Sequence, residues 1–391
     1  MELSNKYGIY IGTSRGTISY TNLDPKEKLH YEFAKEASEM SSMVWGRGES
    51  EILTGFKNGN ICIYDTNQQK YSRTIDKLKN QGSIVGVGYI DDKLYAASSK
   101  GNISILNLDE ELETIKTLSL ENSTLDSCAQ NMNKLSILAT GGENNDLKLW
   151  DLEKQQCIFK AKSLGHDQLN LPIKASIRGI TFIPEEQNVC SCVTKEGHIL
   201  LYDDRVQRKP VCKYFDQKAS FTTVTTAYRQ RNILAGTTKG YVQYMDMKTG
   251  KSLKTFTGIG GSVTCILTNA MEPLVAVSSL DRYLRIFNLD NKEICYKQYM
   301  KQSLTRMVMK PIIKEESEEI DENLININED QEYEEIFKNM EEVTEKPHRK
   351  RNSIGIVKTK TKKLKNKGIS PSIFTGLSTC YPIKYITTKN K

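Results

Sequence analysis

Gly59-Asn60-Ile61-Cys62-Ile63-Tyr64-Asp65 reads as a glycine-led turn running into an alternating strand that stops at an aspartate. Just upstream, Ile52-Leu53-Thr54-Gly55 is a second short run of small and β-branched residues, with Asn58-Gly59 between the two. Glycine supplies the positive φ that a tight hairpin demands, so the two runs are predicted to form an antiparallel pair. The same unit returns at Gly16–Asn22, Gly101–Asn107, Asn145–Asp151, Gly197–Asp203, Gly240–Asp246 and Arg282–Asn288. The final residues of the seven copies stand 43, 42, 44, 52, 43 and 42 positions apart, so one interval carries an insertion, at 160–176.

Each hairpin has strand patterns on both sides. Ser83–Ile90, Ile177–Ile183 and Ser262–Thr268 precede hairpins, and Glu113–Leu118, Cys157–Ala161 and Ser252–Thr257 follow them. Four strands with a period near 43 match the ~40–45-residue blade of a β-propeller, whose sheets bury both faces against their neighbours. The fold class is therefore all-β, a seven-bladed propeller spanning 1–311. The first copy begins at its second strand, Gly8–Thr13, and lacks an inner strand. Ser303–Met309 has the inner-strand pattern with no hairpin after it, so about 303–309 is predicted to complete the first blade and lock the ring. Within this frame Tyr64, Trp150, Tyr202 and Phe287 are packing residues, the terminal Asp and Asn positions cap turns, and the Arg285 stem packs between blades.

The chain of 391 residues carries 55 Lys and Arg against 48 Asp and Glu. No apolar run approaches the ~18 residues that cross a bilayer, and no basic segment leads into an apolar core near Met1, which predicts neither a membrane span nor secretion. The nine cysteines are scattered singly, as suits reduced core thiols in an intracellular protein. Cys190 and Cys192 lack a second ligand pair at zinc spacing, and alternation puts both on one strand face. His30, His166, His198 and His348 form no pair at metal or triad spacing, and Gly258-Ile259-Gly260-Gly261 has no Lys-Ser or Lys-Thr after it and reads as an inter-blade loop. Neither catalysis nor a cofactor is predicted.

After Pro311 the pattern stops. Residues 312–391 hold 24 hydrophobic residues in 80, too few for a second core of that size, and predict a mostly disordered extension. Its charge is segregated: 314–345 has 14 acidic and 2 basic residues, whereas 346–367 has 10 basic and none acidic. The extension accordingly divides into an acidic linker, 312–345, and a basic tail, 346–391. In the linker, Tyr333, Ile336, Phe337, Met340 and Val343 fall at helical spacing, which fits a short partner-binding helix or a solvated helix with no partner. In the tail, Lys346, Arg349, Lys350 and Arg351 read as nuclear targeting, and Lys358, Lys360, Lys362, Lys363, Lys365 and Lys367 as an RNA contact. Ser353 stands where a basophilic kinase would add about two negative charges and weaken either use.

The Trp150-Asp151 pair and the period resemble WD-repeat propellers. A narrower resemblance runs through Leu169–Ile173, Ile180–Pro184, Tyr202-Asp203, Arg208–Val211, Gly258–Val263 and Leu280–Ile286, which look like the family of WD repeat-containing protein 74 and its fungal Nop-seven-associated counterpart. That family usually has a charged stretch where this chain has Leu169-Asn170-Leu171. The resemblance implies a non-enzymatic nucleolar factor for the large ribosomal subunit precursor. It would contact ribosomal RNA and pre-ribosomal proteins and be released by an AAA-type ATPase. The propeller and tail alone equally suit a nuclear adaptor for chromatin or ubiquitin-ligase complexes.

Overall fold

The computed structural model describes residues 7–311, apart from residues 25–28, 35, 37, 49, 77, 79–80, 109–113, 120–123, 167–168, 230 and 270–271. Residues 7–311 form seven four-stranded antiparallel sheets. In six of them the strands follow chain order from inner to outer edge, as in blade 2 with Met40–Trp45, Glu51–Phe56, Ile61–Asp65 and Lys70–Ile75. Blade 1 is assembled from both ends of the ring: Leu304–Pro311 lies inside Tyr7–Thr13, followed by Thr17–Thr21 and His30–Phe33. The closing register pairs Ile9 with Met309, Ile11 with Met307 and Gly12 with Arg306. The closing strand thus runs as predicted and extends two residues further.

Alternation explains why a ring forms. Ile52 packs in the core between blades 1 and 2, while its neighbour Leu53 packs in the core between blades 2 and 3. A strand whose successive side chains both meet apolar partners must be covered on both faces, and the middle strand Glu51–Phe56 is buried from Ile52 onward. Seven such cores separate the seven blades, the last joining Leu284 and Ile286 of blade 7 to Ile9, Ile11, Leu304 and Met307 of blade 1.

The strand-ending residues cap the next turn. Asp65 Oδ1 accepts the N–H groups of Asn67 and Gln68, and Asp151, Asp203, Asp246 and Asn288 repeat the bond to the residue two ahead. Trp150 packs against the core between blades 3 and 4 while its indole N–H donates to Thr140 Oγ1 at 3.0 Å. The turn glycines have the expected left-handed backbone, with φ of 89° at Gly59, 84° at Gly101 and 80° at Gly240. Blade 4 departs from the predicted alignment. Asn145 already pairs with Gly142, and the left-handed residue is Asn144 at 51°, so this hairpin is one residue tighter than its counterparts. In blade 7 the glycine slot belongs to Arg282, at 68°.

Candidate functional site

In an antiparallel blade the second turn and the loop into the next inner strand share one end of the ring. At that end a cavity of about 330 Å³ is lined by residues from four blades. Asp126 precedes the inner strand of blade 4, Arg178 belongs to that of blade 5 (Ile177–Phe182), and Ser220 and Thr222 enter that of blade 6 (Phe221–Thr226). Lys195 and Thr238 come from the turns of blades 5 and 6, and Arg306 from the closing strand. Phe221, fully buried, lies beneath these polar walls.

Of the two arginines, Arg306 is fixed by the ring itself. Arg306 Nε donates to the carbonyl of Ser41 in blade 2 at 2.8 Å, and its Nη1 reaches that of Thr264 in blade 7 at 3.4 Å. One guanidinium on the closing strand therefore ties three consecutive inner strands together. Arg178 Nη1 stands 3.6 Å from Asp126 Oδ2, an ion pair longer than a hydrogen bond. Neighbouring inner strands are joined by further bonds of the same sort, Ser41 Oγ to the Ile84 carbonyl at 2.5 Å and Thr222 Oγ1 to that of Val263 at 2.7 Å. Three cations and one carboxylate in a cavity with hydroxyl walls make a place for an anion.

Away from the cavity, Cys190, Cys192, His198 and Arg285 are buried ionisable groups packed into the blades. Cys190 and Cys192 are both buried in the core between blades 4 and 5, on one strand face as the alternation predicts. Burial pushes the Cys190 thiol up to about 12 and Cys192 higher than an ordinary thiol, so neither offers a thiolate at neutral pH. His198 is buried and stacks on Phe215 at 4.5 Å; burial foremost, then Lys213, brings its pKa down to about 4, leaving a neutral imidazole. Arg285 is 4% exposed and its Nη2 donates to Asp281 Oδ2 at 2.6 Å within blade 7. Burial alone would raise the Asp281 pKa. Bonds from Arg285, Ser279, and the N–H groups of Gly260 and Tyr283 outweigh it and hold the carboxyl well below the usual range.

Sequence reasoning did not find the cavity residues, because Asp126, Arg178, Lys195 and Arg306 are spread over three blades and share no motif. Charge by halves gives a signal: residues 1–150 hold 16 Lys and Arg against 20 Asp and Glu, whereas residues 151–311 hold 24 against 14. Within the insertion a bridge joins His166 to Pro172, and Lys162 N–H donates to the Arg208 carbonyl of blade 5. The targeting residues Lys346, Arg349, Lys350 and Arg351, the RNA-contact lysines from Lys358 to Lys367, the linker residues Tyr333, Ile336, Phe337 and Met340, and Ser353 lie outside the described residues.

Two family models match parts of the chain. The Vps8 β-propeller model matches residues 2–124, and the WD domain, G-beta repeat model matches residues 250–288. WD repeat-containing protein 74 of Bos taurus is 27% identical over 310 residues, covering 77% of this chain and 80% of that protein. The Homo sapiens protein of the same name is 25% identical over 311 residues, with the same shares. Ribosome biogenesis protein nsa1 of Schizosaccharomyces pombe is 24% identical over 378 residues, covering 87% of this chain and 95% of that protein. Seven four-stranded blades, the repeat spacing and these likenesses identify the chain as a seven-bladed WD-repeat β-propeller similar to WD repeat-containing protein 74 and to fungal nsa1.

Proposed function

We propose that this protein is a non-enzymatic, nucleolar assembly factor for the precursor of the large ribosomal subunit. The observation that carries the reading is the likeness to a ribosome biogenesis protein across 87% of this chain and 95% of that relative. A rigid ring with loops at both ends can hold several partners in fixed relation, which is what an assembly scaffold needs. The basic tail supplies nuclear entry through Lys346, Arg349, Lys350 and Arg351, and an RNA contact through the lysines from Lys358 to Lys367, with affinity gained by counterion release. Tyr333, Ile336, Phe337 and Met340 offer an apolar stripe to another pre-ribosomal protein. Release by an AAA-type ATPase follows from the family resemblance, the nucleotide being bound by that partner.

Affinity purification of the full chain at moderate salt tests the reading. Large-subunit precursor RNA and assembly proteins are the expected company. Histones or cullin-type subunits in their place would overturn it and favour a nuclear adaptor.

A further inference from the structure

Cations stand at both ends of the ring, and only one end has a cavity that gathers them. At the end formed by the first and third turns of each blade, four arginines meet carboxylates, while Arg208 and the exposed Lys134, Lys209, Lys248 and Lys292 have none among the described residues. Arg231 Nε is 2.6 Å from Glu186, Arg205 Nη2 is 2.9 Å from Asp203, and Arg47 and Arg229 meet Asp92 and Asp290 at 3.4 Å. At the cavity end the unpaired cations of blades 5, 6, 7 and 1 surround the mouth of the cavity. Lys195, Lys218, Lys239, Lys301 and Arg15 are exposed there, each on a different turn or loop, with no carboxylate partner among the described residues. Arg282, on the blade 7 turn, lies over the Tyr299 ring, 5.5 Å from its centroid.

The acids at this end are engaged with their own neighbours. Glu196 accepts the Ser176 N–H at 2.9 Å, Asp216 accepts the Lys218 N–H and the Gln243 amide, and Asp281 is held by Arg285. Loop cations spaced around a mouth, with Arg306 fixed inside it and Arg178 beside Asp126, present a curved track of positive charge.

We propose that this end of the ring, across blades 5, 6, 7 and 1, binds the phosphate backbone of single-stranded RNA, with Arg178 and Arg306 at its centre and the loop lysines along its rim. This rests on the RNA contact in the proposed function, but moves part of that contact from the tail to the ring. Phosphate is the favoured ligand for two reasons. The cations are distributed over separate loops, as a polyanion requires, and Ser220 and Thr238 add hydroxyl groups beside the arginines. The site reads charge spacing and not base edges, so its affinity depends steeply on salt and little on sequence.

The test uses the full chain and a labelled 30-nucleotide RNA of mixed sequence, with binding followed by anisotropy from 0.05 to 0.3 M salt. The rim variant combines Lys195→Gln, Lys218→Gln, Lys239→Gln and Lys301→Gln, all at exposed turns, and its melting temperature checks the fold. Four lost phosphate contacts at about 0.7 each lower the log–log salt slope by about 3 and affinity at 0.15 M salt by about 100-fold. A rim variant with the parent slope, while Gln at the six lysines from Lys358 to Lys367 lowers it, overturns the ring site and leaves the assembly-factor reading intact. No RNA binding by the parent at 0.05 M salt overturns the ring site and direct RNA contact together, leaving co-purification of precursor particles to judge the assembly role. Displacement of the RNA by polyglutamate at equal charge overturns it in favour of an acidic protein partner.

Discussion

Gly197 and Gly165 hold almost the same backbone angle, φ of 93° and 95°, in very different surroundings. A Cβ on Gly197 would sit 2.1 Å from the Asp216 carbonyl oxygen, whereas one on Gly165 meets nothing within 4 Å. Gly165→Ala therefore costs only the left-handed strain, about 1–2 kcal/mol. Gly197→Ala adds a collision with backbone and costs at least about 3 kcal/mol by the same strain plus a forced shift. Urea unfolding of the two variants measures the difference, and equal midpoints would contradict the close approach. Asp281 gives a second prediction. Its folded pKa is depressed, so its contribution is complete above the unfolded value of about 4 and is lost as pH falls through the lower folded value. Asp281→Asn leaves the buried Arg285 without its counter-charge, costs about 3–5 kcal/mol at neutral pH, and flattens the acid limb of the stability profile. Chemical denaturation at pH 7 and pH 3 reads both effects.

Among the elements, Leu304–Pro311 bears the most on the ring. Leu304, Met307 and Val308 are all buried, and losing each large apolar side chain from a core costs about 2–5 kcal/mol. A chain ending at Gln302 forfeits all three and bares the edge of Tyr7–Thr13, a sum comparable to the whole stability of a domain, about 5–15 kcal/mol. Ending at Pro311 is expected to preserve a single cooperative thermal transition, and ending at Gln302 to abolish it and promote self-association, as calorimetry and light scattering would show. This strand was legible in the sequence because it is an orphan: an inner-strand pattern without a hairpin, in a chain whose first hairpin lacks an inner strand. The other blades were legible because alternation and the turn residue return with one period. The blade 4 turn was misaligned by one residue because Asn144 and Asn145 can both take a turn, and only the pairing of Asn145 with Gly142 separates them. Arg178 and Arg306 gave no periodic signal. They meet because the ring closes, 128 positions apart in the chain.

For the whole molecule, the sequence divides into a ring over 7–311 and charged segments beyond residue 311. Ala at Lys346, Arg349, Lys350 and Arg351 is expected to reduce nuclear accumulation of the full chain severalfold while the melting temperature stays unchanged. Quantitative imaging of a tagged chain tests this, and undiminished nuclear signal would remove targeting from these residues. The seam in blade 1 also bears on biosynthesis. Six blades draw all their strands from neighbouring sequence, whereas Tyr7–Thr13 waits for a partner nearly 300 positions downstream. At about 5–20 residues per second, that leaves an unpaired edge displayed on the nascent chain for roughly 15–60 s. The ring thus stays an open crescent until Leu304–Pro311 has been made, its closure is a zip between its two tips, and a chaperone that shields the leading tip would have a defined interval in which to act.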